Sequence, residues 1–291
     1  MDFIQVAVND INGEAAETVA ELFNRYGHGG AVMEAYPPSF ERVTVRTVVP
    51  GDDPDRLHHI EAMLALIGQA LPDGLPAPTL TSVGENDWAE SWKEHFHVVR
   101  VGQRFVIKPN WREYDPQPED ILIEIDPGLA FGSGLHPTTQ LCLEILEGMP
   151  LAGLSMFDVG TGSGILSIAA SKLGAGQIRA VDIDDVAVRV AAENFVTNGL
   201  PDTIQTAVGS AGETGGQQWQ LVVANILAHI LIAIMPDLTT ALAPDGQLIL
   251  SGMIAEQEDE VRTVAESHGL TVARRYQQED WVALVLNGIS R

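Results

Sequence analysis

The sequence predicts an α/β protein in two parts: a larger C-terminal domain on a seven-stranded, mostly parallel sheet whose last strand runs antiparallel, and a smaller N-terminal α+β domain. Three observations predict it. From Thr138 onward helical and strand patterns alternate almost without a break, which implies a parallel sheet covered on both faces. The last two strand patterns, 270–276 and 281–286, are separated only by Gln277 to Asp280, too short for a crossover, so they form an antiparallel pair. The first 85 residues read instead as strand, helix, strand, strand, helix, strand, the order of a ferredoxin-like split βαβ.

In the N-terminal part, 3–8 alternates like a strand, 14–25 has helical spacing, 31–36 and 43–49 are β-rich, 54–70 is amphipathic, and 79–83 closes the set after the proline-bearing stretch 71–78. This gives a domain over 1–86. A short linker helix is expected over 87–97, where Trp88 and Trp92 lie one turn apart and serve either interdomain packing or as an aromatic platform for substrate. The second domain, 98–291, opens with strands at 98–101, 104–108 and 121–125. Helices at 138–147, 165–173, 186–198, 230–242 and 256–268 then alternate with strands at 155–159, 178–183, 203–208, 221–224 and 247–251, before the final pair.

A length of 291 residues with 45% hydrophobic and 19% charged side chains describes a globular chain with room for two cores. Cys142 is alone, which excludes a disulfide framework, and its apolar neighbours make it a small buried hydrophobe. No histidine pair has a Cys or carboxylate set at ligand spacing, so no metal site is expected. The formal charge of −24 argues against direct nucleic-acid readout, and it either draws in a basic partner or is simply a solubility trait. The longest apolar run, 221–235, is interrupted by Asn225 and His229 and is too short for a bilayer span; with no signal-like segment near Met1, the chain is expected in the cytoplasm, as a monomer.

The chemistry begins at Phe157-Asp158-Val159-Gly160-Thr161-Gly162-Ser163-Gly164, an apolar strand running into three alternating glycines and a helix. Glycine there permits positive φ and close approach of a ligand to the backbone. Asp182 ends the next strand, where a carboxylate can hold the two hydroxyls of a ribose. A dinucleotide site would want GxGxxG with phosphates on the helix N-terminus. Here the turn lacks that spacing and carries Asp158, which suits a cationic ligand such as S-adenosylmethionine or else hydrogen-bonds the loop. Asp184 and Asp185 read as a helix N-cap and first-turn acid.

Asn225 falls at the tip of the domain's fourth strand, the end of an open α/β sheet at which ligands bind. Its amide either orients an amine through the carbonyl oxygen or caps a turn. The segment 126–139 is a glycine-punctuated loop able to close over a ligand, after which His136-Pro137 opens a helix and leaves free N–H groups near Thr138 and Thr139. His136 is either a general base or, by the usual balance for a lone loop histidine, a cap.

Taken together, the motifs at 131–139 (FGSGLHPTT), 158–166 (DVGTGSGIL), 181–184 (VDID) and 225–228 (NILA) resemble the bacterial methyltransferases of large-subunit ribosomal protein eleven. The likeness runs along the whole chain and is strongest from Trp88 on. It implies a Rossmann-like class I methyltransferase domain using S-adenosylmethionine, with the N-terminal domain recognising the substrate, a basic ribosomal protein of the large subunit. It also implies N-methylation, up to trimethylation, of that protein's N-terminal α-amine and lysine ε-amines; another protein lysine or a small-molecule amine is the alternative. Carried onto this chain, the cofactor-contacting positions are Thr138, Thr139, Asp158, Gly160, Gly162, Gly164, Asp182 and Asn225, with Asn225 also the catalytic residue. Ser133 departs from the more usual Thr of the loop, and Ser210 stands where many methyltransferases place an acid to read adenine, which leaves that edge to backbone groups.

Overall fold

A computed structural model describes residues 2–35, 42–72, 74–84, 97–125, 134, 136–200 and 204–288, and the chain divides into two compact units, Met1–Phe96 and His97–Arg291. The expected linker helix, with Trp88 and Trp92, and most of the glycine loop, including Ser133, lie outside the described residues. Among those residues no helix is long and apolar enough to cross a membrane.

The smaller unit runs β1 (Asp2–Ile11), α1 (Gly13–Tyr26), β2 (His28–Ala35), β3 (Val43–Pro50), α2 (Pro54–Ala70) and β4 (Thr79–Gly84). Its sheet has the order β2-β3-β1-β4 with every pair antiparallel, which is the ferredoxin-like arrangement. Alternation puts Val6, Val8, Val45 and Val49 on one face, where they pack with Ala16, Val19 and Phe23 of α1 and Ile60 and Leu64 of α2. Both helices start on side-chain caps: Asn12 accepts the amide of Ala15 at 2.9 Å and Asp53 that of Arg56 at 3.1 Å.

The larger unit opens with a small mixed sheet, β5 (Val99–Val101), β6 (Phe105–Pro109) and β7 (Ile121–Ile125), in which β5 and β6 are antiparallel and β6 and β7 parallel. The α/β core follows: α3 (Pro137–Glu147), β8 (Met156–Val159), α4 (Ile165–Lys172), β9 (Ile178–Asp182), α5 (Asp185–Thr197), β10 (Ile204–Val208), β11 (Trp219–Asn225), α6 (Ala228–Ala241), β12 (Leu242–Ile254), α7 (Glu258–Ser267), β13 (Thr271–Gln278) and β14 (Trp281–Asn287). The sheet order is β10-β9-β8-β11-β12-β14-β13; β14 is antiparallel to both neighbours, while the pairs from β10 across to β12 are parallel. The expected seven-stranded sheet is present, with β12 longer at both ends than the pattern suggested and Asn225 inside β11 as its last residue.

Two polar clasps attach the small mixed sheet to the core. Glu147, at the end of α3, accepts the amides of Gln103 and Arg104 at 2.8 and 2.7 Å, which closes the β5–β6 turn. Asn198, the C-cap of α5, accepts the amide of Glu124 at 3.0 Å and donates to its carbonyl at 2.6 Å, standing in for a strand partner of β7. One face of the large sheet packs on α3 and α4 through Leu143, Leu146, Ile168 and Ile249. The other packs on α6 and α7 through Leu231, Met235, Leu238 and Val261.

Trp219 is wholly buried in this second layer, stacked on Phe157 with ring centroids 5.7 Å apart and its indole N–H donated to the carbonyl of Thr214 at 3.1 Å. We expect Trp219→Ala to destabilise the larger unit by about 3–5 kcal/mol, the usual cost of emptying a buried tryptophan site. Denaturant unfolding followed by far-ultraviolet circular dichroism measures this, and a loss below about 1 kcal/mol would contradict the layer packing described.

Candidate cofactor and methyl-transfer site

The site forms where β8, β9 and β11 end side by side on one edge of the large sheet. β8 enters the glycine turn at Val159, and Gly160 then adopts φ +76° while its amide donates to the carbonyl of Val181 at 2.9 Å. A Cβ on Gly160 would lie 2.4 Å from Cγ2 of Ile226, so only glycine lets the turn pass beneath the end of β11. Gly164, at φ +83°, has a different constraint: its Cβ would strike the ring of Phe195 at 2.5 Å, so this glycine allows α4 to pack against α5. Gly162 contributes its amide.

Asp182 receives that amide. Its Oδ2 accepts from Gly162 at 2.9 Å and its Oδ1 from Asp184 at 3.1 Å, so one carboxylate bridges the glycine turn and the start of α5. Burial, followed in smaller part by the nearby Asp184 charge, holds the Asp182 carboxyl above the usual range, while the two amides act the other way. Asp184 caps α5 through the amide of Val186 at 2.9 Å, as expected. Beside Asp182 two large apolar side chains are exposed, Ile183 at 76% and Val208 at 55%, forming an apolar ledge at the ends of β9 and β10. The sequence reading missed this ledge, because both residues looked like ordinary strand interior.

Asp158 takes the second of its two readings and hydrogen-bonds the loop, chiefly through hydroxyls. It is 1% exposed, and its Oδ2 accepts the hydroxyls of Thr161 at 2.8 Å and Ser167 at 2.7 Å, so it braces the inside of the turn against α4. Burial pushes its carboxyl up to about 6, against those two hydrogen bonds.

Asn225 closes the site. Its Nδ2 donates to Oγ1 of Thr139 at 3.4 Å, and its Oδ1 is buried without a hydrogen-bond partner among the described residues. Thr138 and Thr139, both 1% exposed, are the first residues of α3 after Pro137. His136 is the N-cap: its Nδ1 lies 2.8 Å from Oγ1 of Thr138 and accepts the Thr138 amide at 3.4 Å. His229 is exposed and joins none of this. Cys142 is buried, its thiol raised to about 12 by burial, and Ser251, next to Asn225 across the β11–β12 register, is wholly buried with its hydroxyl donated to the carbonyl of Val282 at 3.1 Å.

A buried carbonyl oxygen left without a donor costs about 1–3 kcal/mol, so this one is a ready acceptor for an N–H group. A turn that admits no side chain, a carboxylate at the next strand end, an apolar ledge beside it and this acceptor together fit an adenosyl sulfonium whose methyl faces an amine. The chain matches, over residues 2–288, the family described as ribosomal protein L11 methyltransferase (PrmA). It belongs to that family. Membership makes it a methyltransferase with S-adenosylmethionine as methyl donor. It is 41% identical to the ribosomal protein L11 methyltransferase of Chloroflexus aurantiacus, across 97% of each chain, and 40% identical to that of Pelotomaculum thermopropionicum, across 98% of each. A crystal structure of the ribosomal protein L11 methylase from Lactobacillus delbrueckii subsp. bulgaricus superposes with a TM-score of 0.63 at 36% identity, covering 67% of this chain and all of that one.

The position of Asp158 has a measurable consequence. Burial raises its carboxyl from an ordinary 3.8 to about 6, so the folded state holds this proton more tightly than the unfolded state. The stability it contributes is full below about pH 4 and is lost as pH rises through about 6. Asp158→Asn cannot ionise yet still accepts both hydroxyls. Its stability relative to the parent should therefore improve between pH 4 and pH 7 by up to about 3 kcal/mol. Parallel denaturation curves across that range test this; a pH-independent difference would refute the burial of a titrating carboxyl.

Proposed function

We propose that this chain methylates amino groups of ribosomal protein L11, the N-terminal α-amine and lysine ε-amines, up to the trimethylated state. The carrying observation is the buried, unpartnered carbonyl of Asn225, set at a strand end beside the glycine turn and Asp182. The names of the relatives support the substrate. The formal charge of −24 supports encounter with a basic partner and disfavours direct nucleic-acid readout. We assign recognition of that partner to the ferredoxin-like domain, residues 1–86, and catalysis to 98–291.

When bound, S-adenosylmethionine supplies an electrophilic methyl group on a sulfonium. Asp182 would hold the ribose hydroxyls with the lone pairs its amide contacts leave over, Gly160 and Gly162 would supply a floor without side chains, Ile183 and Val208 would flank an apolar base, and Thr138 and Thr139 would line the side facing Asn225. Asp158 and Gly164 support this arrangement from behind, the one bracing the turn and the other seating α4 on α5. Transfer is an in-line displacement, so the protein's work is to orient an amine lone pair and exclude water.

Protonation is the chemical obstacle, since a lysine amine titrates near ~10.4 and an α-amine near ~8 and both arrive mostly charged at neutral pH. Asn225 is flanked in sequence by the apolar residues Ala224, Ile226, Leu227 and Ala228, and apolar surroundings lower an amine's pKa by desolvation. The Asn225 carbonyl then accepts an N–H of the neutral amine and aims its lone pair. No separate base is required.

Incubation with labelled methyl donor and undermethylated L11, with product mapping by mass spectrometry, tests the assignment; absence of label on any L11 amine would refute it. In the same assay Asn225→Ala should lower kcat by roughly 10²-fold or more, the scale of one preorganised polar contact, with far less effect on donor Kd. Asp182→Ala should instead weaken donor binding about 10- to 100-fold in titration calorimetry, the scale of a charged hydrogen-bonding group. An unchanged Kd would remove Asp182 from the cofactor site.

A further inference from the structure

The strand β14 is antiparallel to β12, so it begins at the edge of the sheet where β11 ends. Its first residue, Trp281, pairs across the register with Ile254 and sits edge-on to the ring of His136, with centroids 4.6 Å apart and planes at 72°. One turn away Gln278, the last residue of β13, donates through Nε2 to Oε1 of Gln140 on α3 at 2.9 Å, and Gln140 in turn donates to the carbonyl of Gly134 at 3.4 Å. The β13–β14 hairpin thus grips the first turn of α3 at two points. That turn carries Thr139, which receives the amide of Asn225.

We infer that the tip of the C-terminal hairpin, through Trp281 and Gln278, is a positioning element for methyl transfer: it clamps His136 and Gln140 and so sets Thr139 against Asn225. The inference rests on the function assigned to Asn225 above. The state of His136 agrees with a clamp. A backbone N–H can only donate, so the contact from the Thr138 amide makes Nδ1 the unprotonated nitrogen and commits its lone pair to the helix cap. Burial pushes the imidazole down to about 4, which keeps that capping acceptor available at neutral pH. His136 is therefore a positioning residue, and the general-base reading of this histidine finds no geometric support.

The test separates a clamp from a base and from a merely stabilising contact. Misplacement of a reacting group by about 1 Å can cost about 10²-fold in rate, so Trp281→Ala and His136→Ala should each lower kcat by about tenfold or more, with donor Kd little changed. Asparagine caps helices well but cannot take up a proton near neutrality, and phenylalanine keeps an aromatic edge. His136→Asn and Trp281→Phe should therefore recover most of the lost kcat, with a pH–rate profile superimposable on the parent's. Gln278→Ala, which leaves the buried aromatic pair in place, should lower kcat with an unchanged Tm, so a folding defect cannot imitate the result. Parent-like kcat in Trp281→Ala and Gln278→Ala would overturn the inference, as would a His136→Asn variant as inactive as His136→Ala. Asn225→Ala, assayed alongside, tests the underlying reading by itself: parent-like turnover there would remove Asn225 from the reaction and leave the clamp without a purpose.

Discussion

The hydrogen bond from the Gly162 amide to the Asp182 carboxylate is the constraint on which the rest of the site depends. It joins the turn after β8 to the end of β9, and the same side chain accepts the Asp184 amide at the start of α5. The glycine turn and the β9–α5 junction 20 residues later thereby share one carboxylate. Because Gly160 and Gly162 carry no side chains, the floor they offer is backbone, held in place by Asp182 in front and by Asp158, with Thr161 of the turn and Ser167 of α4, behind.

Both carboxyls are displaced upward in pKa, chiefly by burial, and each also feels a neighbouring carboxylate. The local field at this edge of the sheet is therefore negative, which favours a cation over a phosphate. Asn225 adds a second unfavourable feature, a buried acceptor with nothing to accept. A protein that tolerates such costs in one place gains from a ligand that relieves them, and an adenosyl sulfonium with an amine behind it offers positive charge and N–H donors together. The small mixed sheet and the C-terminal hairpin then hold the approach to this place, one through Glu147 and Asn198 and the other through Trp281 and Gln278.

Much of this was legible in the residues. Alternating helix and strand periods located nearly every element, because amphipathic patterning is a local consequence of burying one face. Glycines at 160, 162 and 164 announced a turn, yet their spacing did not separate their duties: Gly160 clears Ile226, Gly162 donates, and Gly164 clears Phe195. Asp158 read first as a ligand-facing acid, with a loop brace as the alternative, and the placement of Thr161 and Ser167 around it favours the brace. The extension of β12 at its N-terminal end was hidden by Pro244 and Asp245, which look like loop residues in sequence.

Sequence by itself determined what each segment would become and which side chains carried suitable chemistry, since helix caps, strand alternation and glycine turns act over a few residues and need no distant partner. Tertiary structure alone decided which of those side chains would meet. Trp281 stands 145 positions after His136, and Thr139 stands 86 before Asn225; their contacts exist because a parallel sheet brings the ends of its strands to one edge and an antiparallel last strand begins there. Contacts of that separation depend on the order in which strands line up, which no local pattern of residues encodes.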